Sequence, residues 1–408
     1  MTGITVTGAQ WLERARAINR DLVRWRRHVH QHPEVSFAEA ETTRYLAAEL
    51  GALGATTVVR RRETGLWLDI EGGGGPGLTV LVRADIDALP VQEETGLPFA
   101  SANDGAMHAC GHDAHTAIGL GVACLLMARR AEFRGRVRVL FQPAEEQPPG
   151  GAPTMIEAGC LDGVDSAIAL HVFAQGSAGA FPTGKVFLAA GPVLAASGRF
   201  AITIRGRGGH GSAPHLSVDA IAVAGEVLSA LQHVRSRRLD PLAPAVLTVG
   251  TIHGGFVQNV IAPTVEMTGT VRTFDPTVED RLVEAMRTIV THTAAAFGAE
   301  ADVVYEKGYP VVVNDATATA VMQEAVDSVL GPGAVSQTEP IMGSEDFAYY
   351  GQRVPSVFLG LGAAAPGVEA FPNHHPRFAA DEAALPLGVA ILCDCAMRLM
   401  ARGAQPNA

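Results

Sequence analysis

Residues 136–146, RVRVLFQPAEE, join the pattern of a buried strand to a pair of carboxylates. Pro143 ends this strand because proline cannot donate a hydrogen bond to a sheet. Apolar residues at regular spacing continue on both sides, and they predict a helix at 116–130, a short helix near 154–159 and a strand at 166–172. Strands that alternate with helices predict an α/β fold with a mixed, mostly parallel sheet that is covered by helices.

The same pattern extends toward both ends of the chain. It predicts a helical segment at 22–50 broken near Pro33, strand-like runs at 57–71 and 78–89, a strand at 356–360 and a closing helix at 381–401. The glycine cluster GGGGPG at 72–77 separates the two strand-like runs. A phosphate-binding loop would lead into a helix. Because this cluster joins strand to strand, we expect a plain hairpin turn.

A different order of elements occupies the middle of the chain. Strands are predicted at 199–205, 245–252, 264–273 and 301–307, with helices at 217–237 and 278–297. The resulting order, β-α-β-β-α-β, is that of the ferredoxin-like unit. We therefore expect a catalytic domain in two parts, residues 1–190 and 306–408, with a small domain at 191–305 inserted between them.

The composition excludes several classes of protein. The chain has 408 residues, of which 48% are hydrophobic and 18% charged, and a formal charge of −11 argues against a nucleic-acid partner. Five cysteines, an odd number, do not form a disulfide framework. We see no signal peptide and no apolar run near the roughly 18–20 residues of a membrane span. These features predict a cytoplasmic protein.

Side chains that can bind metals collect at one edge of the predicted sheet. Open α/β sheets bind ligands beyond the carboxyl ends of their strands. The residues in question are Asp85 and Asp87, Glu145 and Glu146, His171, and the histidines of FPNHHP at 371–376. The segment MHACGHDAHT at 107–116 adds a cysteine and three histidines. Thiolate and imidazole favour zinc and similar ions over magnesium or calcium.

Each of these residues also has an ordinary structural interpretation. Adjacent glutamates usually lie on a solvated face, a lone histidine after a strand is often a core residue, and the FPNHHP histidines could lie in a surface loop. What outweighs these interpretations is that four separate segments bring metal-binding residue types to the same edge. His28, His30 and His32 precede Pro33 in a polar helical segment, and we favour a structural role for them. The other cysteines, Cys124, Cys160, Cys393 and Cys395, lie among apolar residues and are expected to be buried.

The number and kind of donors indicate a pair of metal ions. One tetrahedral catalytic ion needs three protein ligands, and this edge offers more. Two ions roughly 3.5–4 Å apart that share a hydroxide fit the set better. One of the two adjacent glutamates could then bind metal while the other takes a proton from water.

Several motifs resemble one known family. They are RRHVHQHPE, RADIDALP, MHACGHDAHTA, FQPAEE, GRGGHGSAPH, NVIAPTVEMTGTVRTF, MGSEDFAYY and NHHPRF, which together extend from Arg26 to Phe378. The chain resembles the aminoacylase/carboxypeptidase family of co-catalytic metallohydrolases, in the branch of hippurate hydrolase, auxin–amino-acid conjugate hydrolase and N-acetyl-diaminopimelate deacetylase. The resemblance implies an α/β catalytic domain with an inserted ferredoxin-like lid that also forms dimers.

The resemblance also implies roles for individual residues. Glu145 would be the general acid/base, and His210 would polarise the substrate carbonyl. Asn259 and Arg272 would meet the substrate carboxylate. His374 is preferred over His375 because the family has the pattern His-x-Pro. The implied metal ligands are Cys110, His112, Glu146, His171 and His374.

The sequence thus predicts an enzyme that cleaves the amide bond of N-acyl amino acids. The expected cofactors are two divalent ions, with manganese and zinc ahead of cobalt and nickel. The expected partners are a small N-acyl amino acid and a second copy of the chain, bound through the lid as a homodimer or tetramer, with no nucleic acid or membrane. A dipeptidase or carboxypeptidase with the same metal centre is the main alternative. A metal-binding protein without catalysis is a further one.

Overall fold

The computed structural model describes residues 6–176 and 179–402. Its α-helices are α1 (Gly8–Ala17), α2 (Asn19–Gln31), α3 (Ala40–Ala52), α4 (His112–Met127), α5 (Gly151–Glu157), α6 (Ala220–His233), α7 (Pro276–Ala296), α8 (Ala316–Leu330), α9 (Ala348–Gly351) and α10 (Ala384–Arg402).

Its strands are β1 (Val58–Val59), β2 (Leu66–Glu71), β3 (Thr79–Asp85), β4 (Arg136–Gln142), β5 (Ser166–Phe173), β6 (Gln175–Gly176), β7 (Gly179–Ala180), β8 (Val186–Phe187), β9 (Gly191–Leu194), β10 (Ala196–Arg205), β11 (Gly209–His210), β12 (Ala245–Gly254), β13 (Val260–Ile261), β14 (Thr264–Thr273), β15 (Glu300–Lys307), β16 (Val312–Asn314), β17 (Val335–Gln337) and β18 (Ser356–Gly362).

The chain forms two compact units. Of the described residues, the first unit comprises those up to Val193, together with Val313–Glu339 and those from Asp346 onward. The second comprises Leu194–Val312 and Pro340–Glu345. The first unit is therefore assembled from segments that are far apart in the sequence.

An eight-stranded mixed sheet forms the centre of the first unit. Its strand order is β1-β2-β4-β3-β5-β18-β8-β17. The four central strands, β4, β3, β5 and β18, run parallel to one another. β3 and β18 are buried along their whole length, as expected for parallel strands whose two faces are both covered. The predicted α/β class with a mixed, mostly parallel sheet is confirmed.

The glycine cluster at 72–77 is not a hairpin turn, so that prediction was wrong. β4 lies between β2 and β3, pairing antiparallel with the first and parallel with the second. The glycine segment instead packs against the loop before β4, where Gly72 N–H donates to the carbonyl of Gly135 at 2.8 Å and Gly74 N–H to that of Phe133 at 2.9 Å. Neighbouring strands in a sequence need not pair, because a later strand can insert between them.

The last helix, α10, is long and apolar enough to cross a membrane by length and composition, with a mean hydropathy of 1.7. The expectation that no segment approaches a membrane span was therefore wrong on these two measures. However, 78% of this apolar window is buried inside the fold. Such burial is typical of a core helix, and α10 packs against α1, α4 and α8.

The second unit has the β-α-β-β-α-β order that the sequence predicted. Its four-stranded sheet has the order β12-β14-β10-β15, and every pairing is antiparallel. Phe200, Ile202 and Ile204 alternate along β10 toward one face and are buried. α6 and α7 pack against this sheet and complete a separate core. The ferredoxin-like part of the predicted fold is confirmed, whereas its role as a lid stays a prediction.

Candidate metal centre

Three parallel strands in the first unit bring acidic and imidazole side chains to one edge of the sheet. β3 ends at Asp85, and His171 lies near the end of β5. Glu145 and Glu146 follow β4 in the sequence. Because β4, β3 and β5 run parallel, their carboxyl ends meet at the same edge, where α/β proteins bind ligands.

Cys110, His112 and His171 form a first group of metal donors. Their donor atoms lie within 4.8 Å of one another, and all three residues are buried. The sulfur of Cys110 is 3.3 Å from Nε2 of His171. Gly111 has a φ of +88°, and a β-carbon at this position would lie 2.4 Å from Cγ2 of Val172. Glycine therefore allows the loop to approach β5 closely as it turns into α4.

Cys110, Glu146 and His374 form a second group, which shares the cysteine with the first. Oε1 of Glu146 lies 3.2 Å from Nε2 of His374 and 3.9 Å from Nε2 of His112. In the described part of the chain, this buried oxygen makes no hydrogen bond. A carboxylate oxygen and two imidazole nitrogens that converge in this way are suited to a divalent cation.

Hydrogen bonds at Nδ1 fix the tautomers of His112 and His171. Nδ1 of His112 lies 3.0 Å from the carbonyl oxygen of Asp87 and 3.2 Å from its carboxylate, two groups that can only accept. Nδ1 of His171 donates to the carbonyl of Val172 at 2.9 Å. The neutral rings therefore keep a lone pair on Nε2. Among the described residues, the buried Nε2 of His112 has no hydrogen-bond partner, which fits a metal ligand.

Glu145 lies directly beside this group. Its carboxylate and the donor atoms of His112 and Glu146 lie within 4.8 Å of one another. The preceding residue, Ala144, has a φ of +52°, and its N–H donates to the carboxylate of Glu39 at 2.7 Å. The turn is thus anchored, and it presents two separate carboxylates to one site.

The structure distinguishes the two histidines of the FPNHHP segment. His374 has a φ of +72°, and its N–H donates to the carbonyl of Ala109 at 2.8 Å. The ring of His375 stacks on Phe371 with centroids 4.6 Å apart, and its Nδ1 accepts the N–H of Arg377 at 3.0 Å. His374 is therefore the imidazole that joins the donor groups, while His375 packs within its own loop.

Asp85 and His115 lie close to His112, but other groups engage them. The carboxylate of Asp85 accepts from the buried guanidinium of Arg83 and lies 2.6 Å from Nδ1 of His115. Nε2 of His115 accepts the N–H of Val172 at 2.8 Å. No ring nitrogen of His115 is left for a metal. Of the three histidines in MHACGHDAHT, the structure thus brings one into the donor groups.

The histidines before Pro33 do not join these groups. His30 is buried, with Nδ1 2.9 Å from Asp113 and Nε2 3.2 Å from Glu93. His28 and His32 lie nearer the surface, with ring centroids 4.5 Å apart. Both nitrogens of His30 have partners, which is consistent with the structural role favoured from the sequence.

The site carries an excess of negative charge. Burial raises the pKa of the Cys110 thiol well above its usual value, and the nearby charges of Glu146 and Glu145 raise it further. Burial would lower the pKa of His112, but the neighbouring aspartates raise it to about 10. A divalent cation would supply the missing positive charge and favour the thiolate. The donor set therefore suits metal ions on electrostatic as well as geometric grounds.

The second unit holds the other residues predicted from the sequence. His210 is exposed in β11, and its Nδ1 accepts the N–H of Ser212 at 3.1 Å. The neutral ring therefore carries its hydrogen on Nε2. Asn259 is exposed just before β13. Arg272 is half-buried in β14 and donates to the carbonyl of Val271 at 2.9 Å. The roles of these three residues toward a substrate stay a prediction.

Asp87 and Asn373 have contacts that the sequence did not predict. Asp87 was a candidate metal ligand, but its carboxylate accepts the N–H of Glu146 at 3.0 Å and the hydroxyl of Ser36 at 2.7 Å. Asn373 donates to the carbonyl of Cys110 at 3.0 Å. No local pattern could have identified Asn373, because its partners are distant in the sequence.

The chain is similar in sequence to known proteins over most of its length. A family model described as peptidase family M20/M25/M40 matches residues 81–398. The N-acyl-L-amino acid amidohydrolase of Geobacillus stearothermophilus is 43% identical over 297 residues, which cover 73% of this chain and 79% of that protein. Thermostable carboxypeptidase 1 of Saccharolobus solfataricus is 38% identical over 373 residues, which cover 90% and 92%.

A solved structure shares the fold as well. The YXEP protein of Bacillus subtilis, described as a dinuclear metal binding peptidase from the M20 family, matches with a TM-score of 0.81. The two chains are 36% identical, and the match covers 95% of this chain and 99% of that one.

Proposed function

The chain belongs to peptidase family M20/M25/M40, and from this membership we propose that it is a metal-dependent amidohydrolase. It cleaves the amide bond of N-acyl amino acids and releases a carboxylate and a free amino acid. The observation that carries this proposal is the convergence of metal donors beside the separate carboxylate of Glu145. The relative named N-acyl-L-amino acid amidohydrolase supports the choice of substrate.

Two divalent ions would be held by five residues, namely Cys110, His112, Glu146, His171 and His374. Their arrangement as two donor groups that share one thiol supports a pair of ions, as does the dinuclear description of the solved relative. Divalent ions, when bound, polarise an amide carbonyl and lower the pKa of water from about 15.7 toward roughly 7.

Glu145 acts as the general acid/base. Its carboxylate takes a proton from the attacking water and later delivers it to the nitrogen of the leaving amine. Its burial shields the transferred proton from bulk water. Glu146 keeps a different task, because the hydrogen bond from its backbone N–H to Asp87 holds it toward the histidines.

Three residues of the second unit act on the substrate. His210 donates from Nε2 to the carbonyl oxygen as negative charge develops there, and the acceptor role of its Nδ1 supports this tautomer. Asn259 and Arg272 bind the carboxylate of the amino acid. In the part of the chain that the structure describes, Arg272 makes no ion pair, so its guanidinium is available for a bidentate contact.

The proposal also covers the identity of the metal, the oligomeric state and the cellular compartment. We infer manganese or zinc as the metal, because thiolate and imidazole donors are combined with a carboxylate. The protein forms a homodimer through the second unit and works in the cytoplasm on a small-molecule substrate. The five cysteines are all free thiols, which supports a reducing compartment.

A peptidase activity at the same centre is the second candidate. Thermostable carboxypeptidase 1, at 38% identity, favours it. A peptide bond is also an amide, so the same donors and the same general base would serve. What separates the two activities is whether the group on the acyl side is a simple acid or an amino acid.

A substrate panel tests the proposal. The protein is loaded with manganese, zinc, cobalt or nickel and assayed on N-acetyl and N-benzoyl amino acids beside dipeptides and N-blocked peptides. We expect faster hydrolysis of the N-acyl amino acids, and the Glu145→Gln variant serves as the inactive control. Faster hydrolysis of peptides would favour the second candidate. Hydrolysis of neither class by protein that holds two ions would contradict both activities and favour a metal-binding protein without catalysis.

A further inference from the structure

We propose that Asn373 is a positioning residue for the metal centre. Its side-chain amide holds the loop that contains Cys110 against the end of β5. This inference rests on the proposed function, because it concerns the same donors. Asn373 itself would not bind metal.

One nitrogen atom makes all the relevant contacts. Nδ2 of Asn373 donates to the carbonyl of Cys110 at 3.0 Å and to the carbonyl of Val172 at 3.1 Å. The same atom lies 3.8 Å from the sulfur of Cys110. An amide nitrogen carries two hydrogens and can serve two carbonyls at once. The opposite orientation of the amide would turn its oxygen toward two carbonyl oxygens, so these contacts fix which atom is the nitrogen.

These contacts lead directly to three donor residues. The carbonyl of Val172 also accepts from Nδ1 of His171 at 2.9 Å. By donating to the same carbonyl, Asn373 helps to fix the position of the acceptor that orients the His171 ring. Its contacts with Cys110 act on the backbone and the sulfur of that residue. His374 is the next residue in the chain, and its φ of +72° is a conformation that non-glycine residues adopt only when their surroundings hold them there. The segments that carry Cys110, His171 and His374 therefore meet at the side-chain amide of Asn373.

Loss of this amide should weaken metal binding without removing a ligand. Partners that orient metal ligands typically change metal affinity by about 10–100-fold when they are replaced. Asn373→Ala removes the donor and leaves two carbonyls without it. Asn373→Asp keeps the size of the side chain but places an acceptor against two carbonyl oxygens and a sulfur. We expect Asn373→Asp to bind metal at least as weakly as Asn373→Ala.

Gln175 offers a matched control. Its side-chain amide donates to the carbonyl of Ala370 at 3.2 Å, so it also ties the chain near the FPNHHP segment. No hydrogen bond from this amide to a metal donor is found among the described residues. Gln175→Ala should therefore loosen the same region while leaving metal affinity close to that of the wild type.

The experiment measures metal binding rather than activity. Metal-free wild type, Asn373→Ala, Asn373→Asp and Gln175→Ala are titrated with zinc against a chromophoric chelator. They are also titrated with cobalt, whose thiolate charge-transfer band reports the environment of the Cys110 sulfur. Circular dichroism and thermal melting of the metal-free proteins establish whether each is folded. If Asn373→Ala does not fold, metal binding is compared between the wild type and Asn373→Asp.

We expect lower zinc affinity by about 10–100-fold and a shifted cobalt band in both Asn373 variants, with neither change in Gln175→Ala. Wild-type zinc affinity and an unshifted cobalt band in the Asn373 variants would overturn this inference without affecting the proposed function. Failure of the wild type to bind two ions would instead overturn the proposed function.

Discussion

Nε2 of His171 lies 3.3 Å from the sulfur of Cys110, although 61 positions separate the two residues in the chain. His171 lies near the end of a central parallel strand, and Cys110 lies in the loop that enters α4. The contact forms because the loop approaches the strand at Gly111, where a β-carbon would overlap Val172. The thiol of Cys110 and the Nε2 lone pair of His171 are thereby placed where both could bind one metal ion.

Cys110→Ala should lose bound metal and activity together. A thiolate ligand is stabilised by the ion that it binds, and a methyl group cannot replace it. Elemental analysis and a hydrolysis assay on the purified variant test this expectation. Cys124→Ala is the control. This cysteine is half-buried, not buried as predicted, and packs against the core, so its loss should change turnover little. Full metal occupancy with full activity in Cys110→Ala would rule out this ligand.

Glu145→Gln should lower turnover by about 10²–10⁴-fold, the usual contribution of a general acid/base. Its metal content should stay near that of the wild type, because Glu146 is the glutamate that faces His374. Turnover and metal content are measured on the same preparation. Loss of about one metal equivalent would mean that the two glutamates have exchanged roles.

His374→Ala should reduce metal content and activity far more than His375→Ala. The imidazole of His374 faces Glu146, whereas His375 stacks on Phe371 and accepts the N–H of Arg377. Metal analysis and turnover of the two variants side by side provide the comparison. The opposite order of effects would identify His375 as the ligand.

The buried His30 should stabilise the fold in a pH-dependent way. Burial would lower its pKa, but the charge and hydrogen bond of Asp113 and the hydrogen bond of Glu93 outweigh this and raise it to about 9. A folded-state pKa above the unfolded value of 6.5 means that this stabilisation is fully present below pH 6.5 and is lost as pH rises through about 9.

Urea unfolding of the wild type and His30→Gln across this pH range measures the effect. The difference in the free energy of unfolding should be largest below pH 6.5 and should shrink above pH 9. Gln31→Ala, which replaces an uncharged side chain at the end of α2, should show no such trend. A difference for His30→Gln that is constant with pH would show that the charge of His30 does not contribute.

If His210 acts on the active site of the partner subunit, two inactive variants should complement each other. His210→Ala and Glu145→Gln would each be nearly inactive as homodimers. Refolded together at equal concentration, about half of the dimers would combine both chains and have one intact site of two, so about a quarter of wild-type activity should return. Heterodimers that form without recovering activity would place His210 in the same chain or outside catalysis.

The long strands were the part of the fold that local sequence predicted best, whereas short strands such as β8 and β9 were not predicted. The predicted and observed bounds of β4 (Arg136–Gln142) and β14 (Thr264–Thr273) are identical, because apolar and β-branched runs are strong strand signals. Three helices, α1, α8 and the four-residue α9, were not predicted. For α1 a signal was present, since Thr7 and Gln10 form a capping box. The pairing of β2 with β4 could not be read locally, because strand order depends on contacts between distant segments.

The sequence by itself determined the fold class, the family and the set of residues from which a metal centre could be built. Only the tertiary structure decided which imidazoles are available to it. In their neutral forms, His112 and His171 donate from Nδ1 to acceptors and keep a lone pair on Nε2, whereas both nitrogens of His115 and His30 are engaged by other groups. Whether a histidine can bind metal depends on the hydrogen bonds to its ring. Those partners come from other strands, helices and loops, so no local pattern records them.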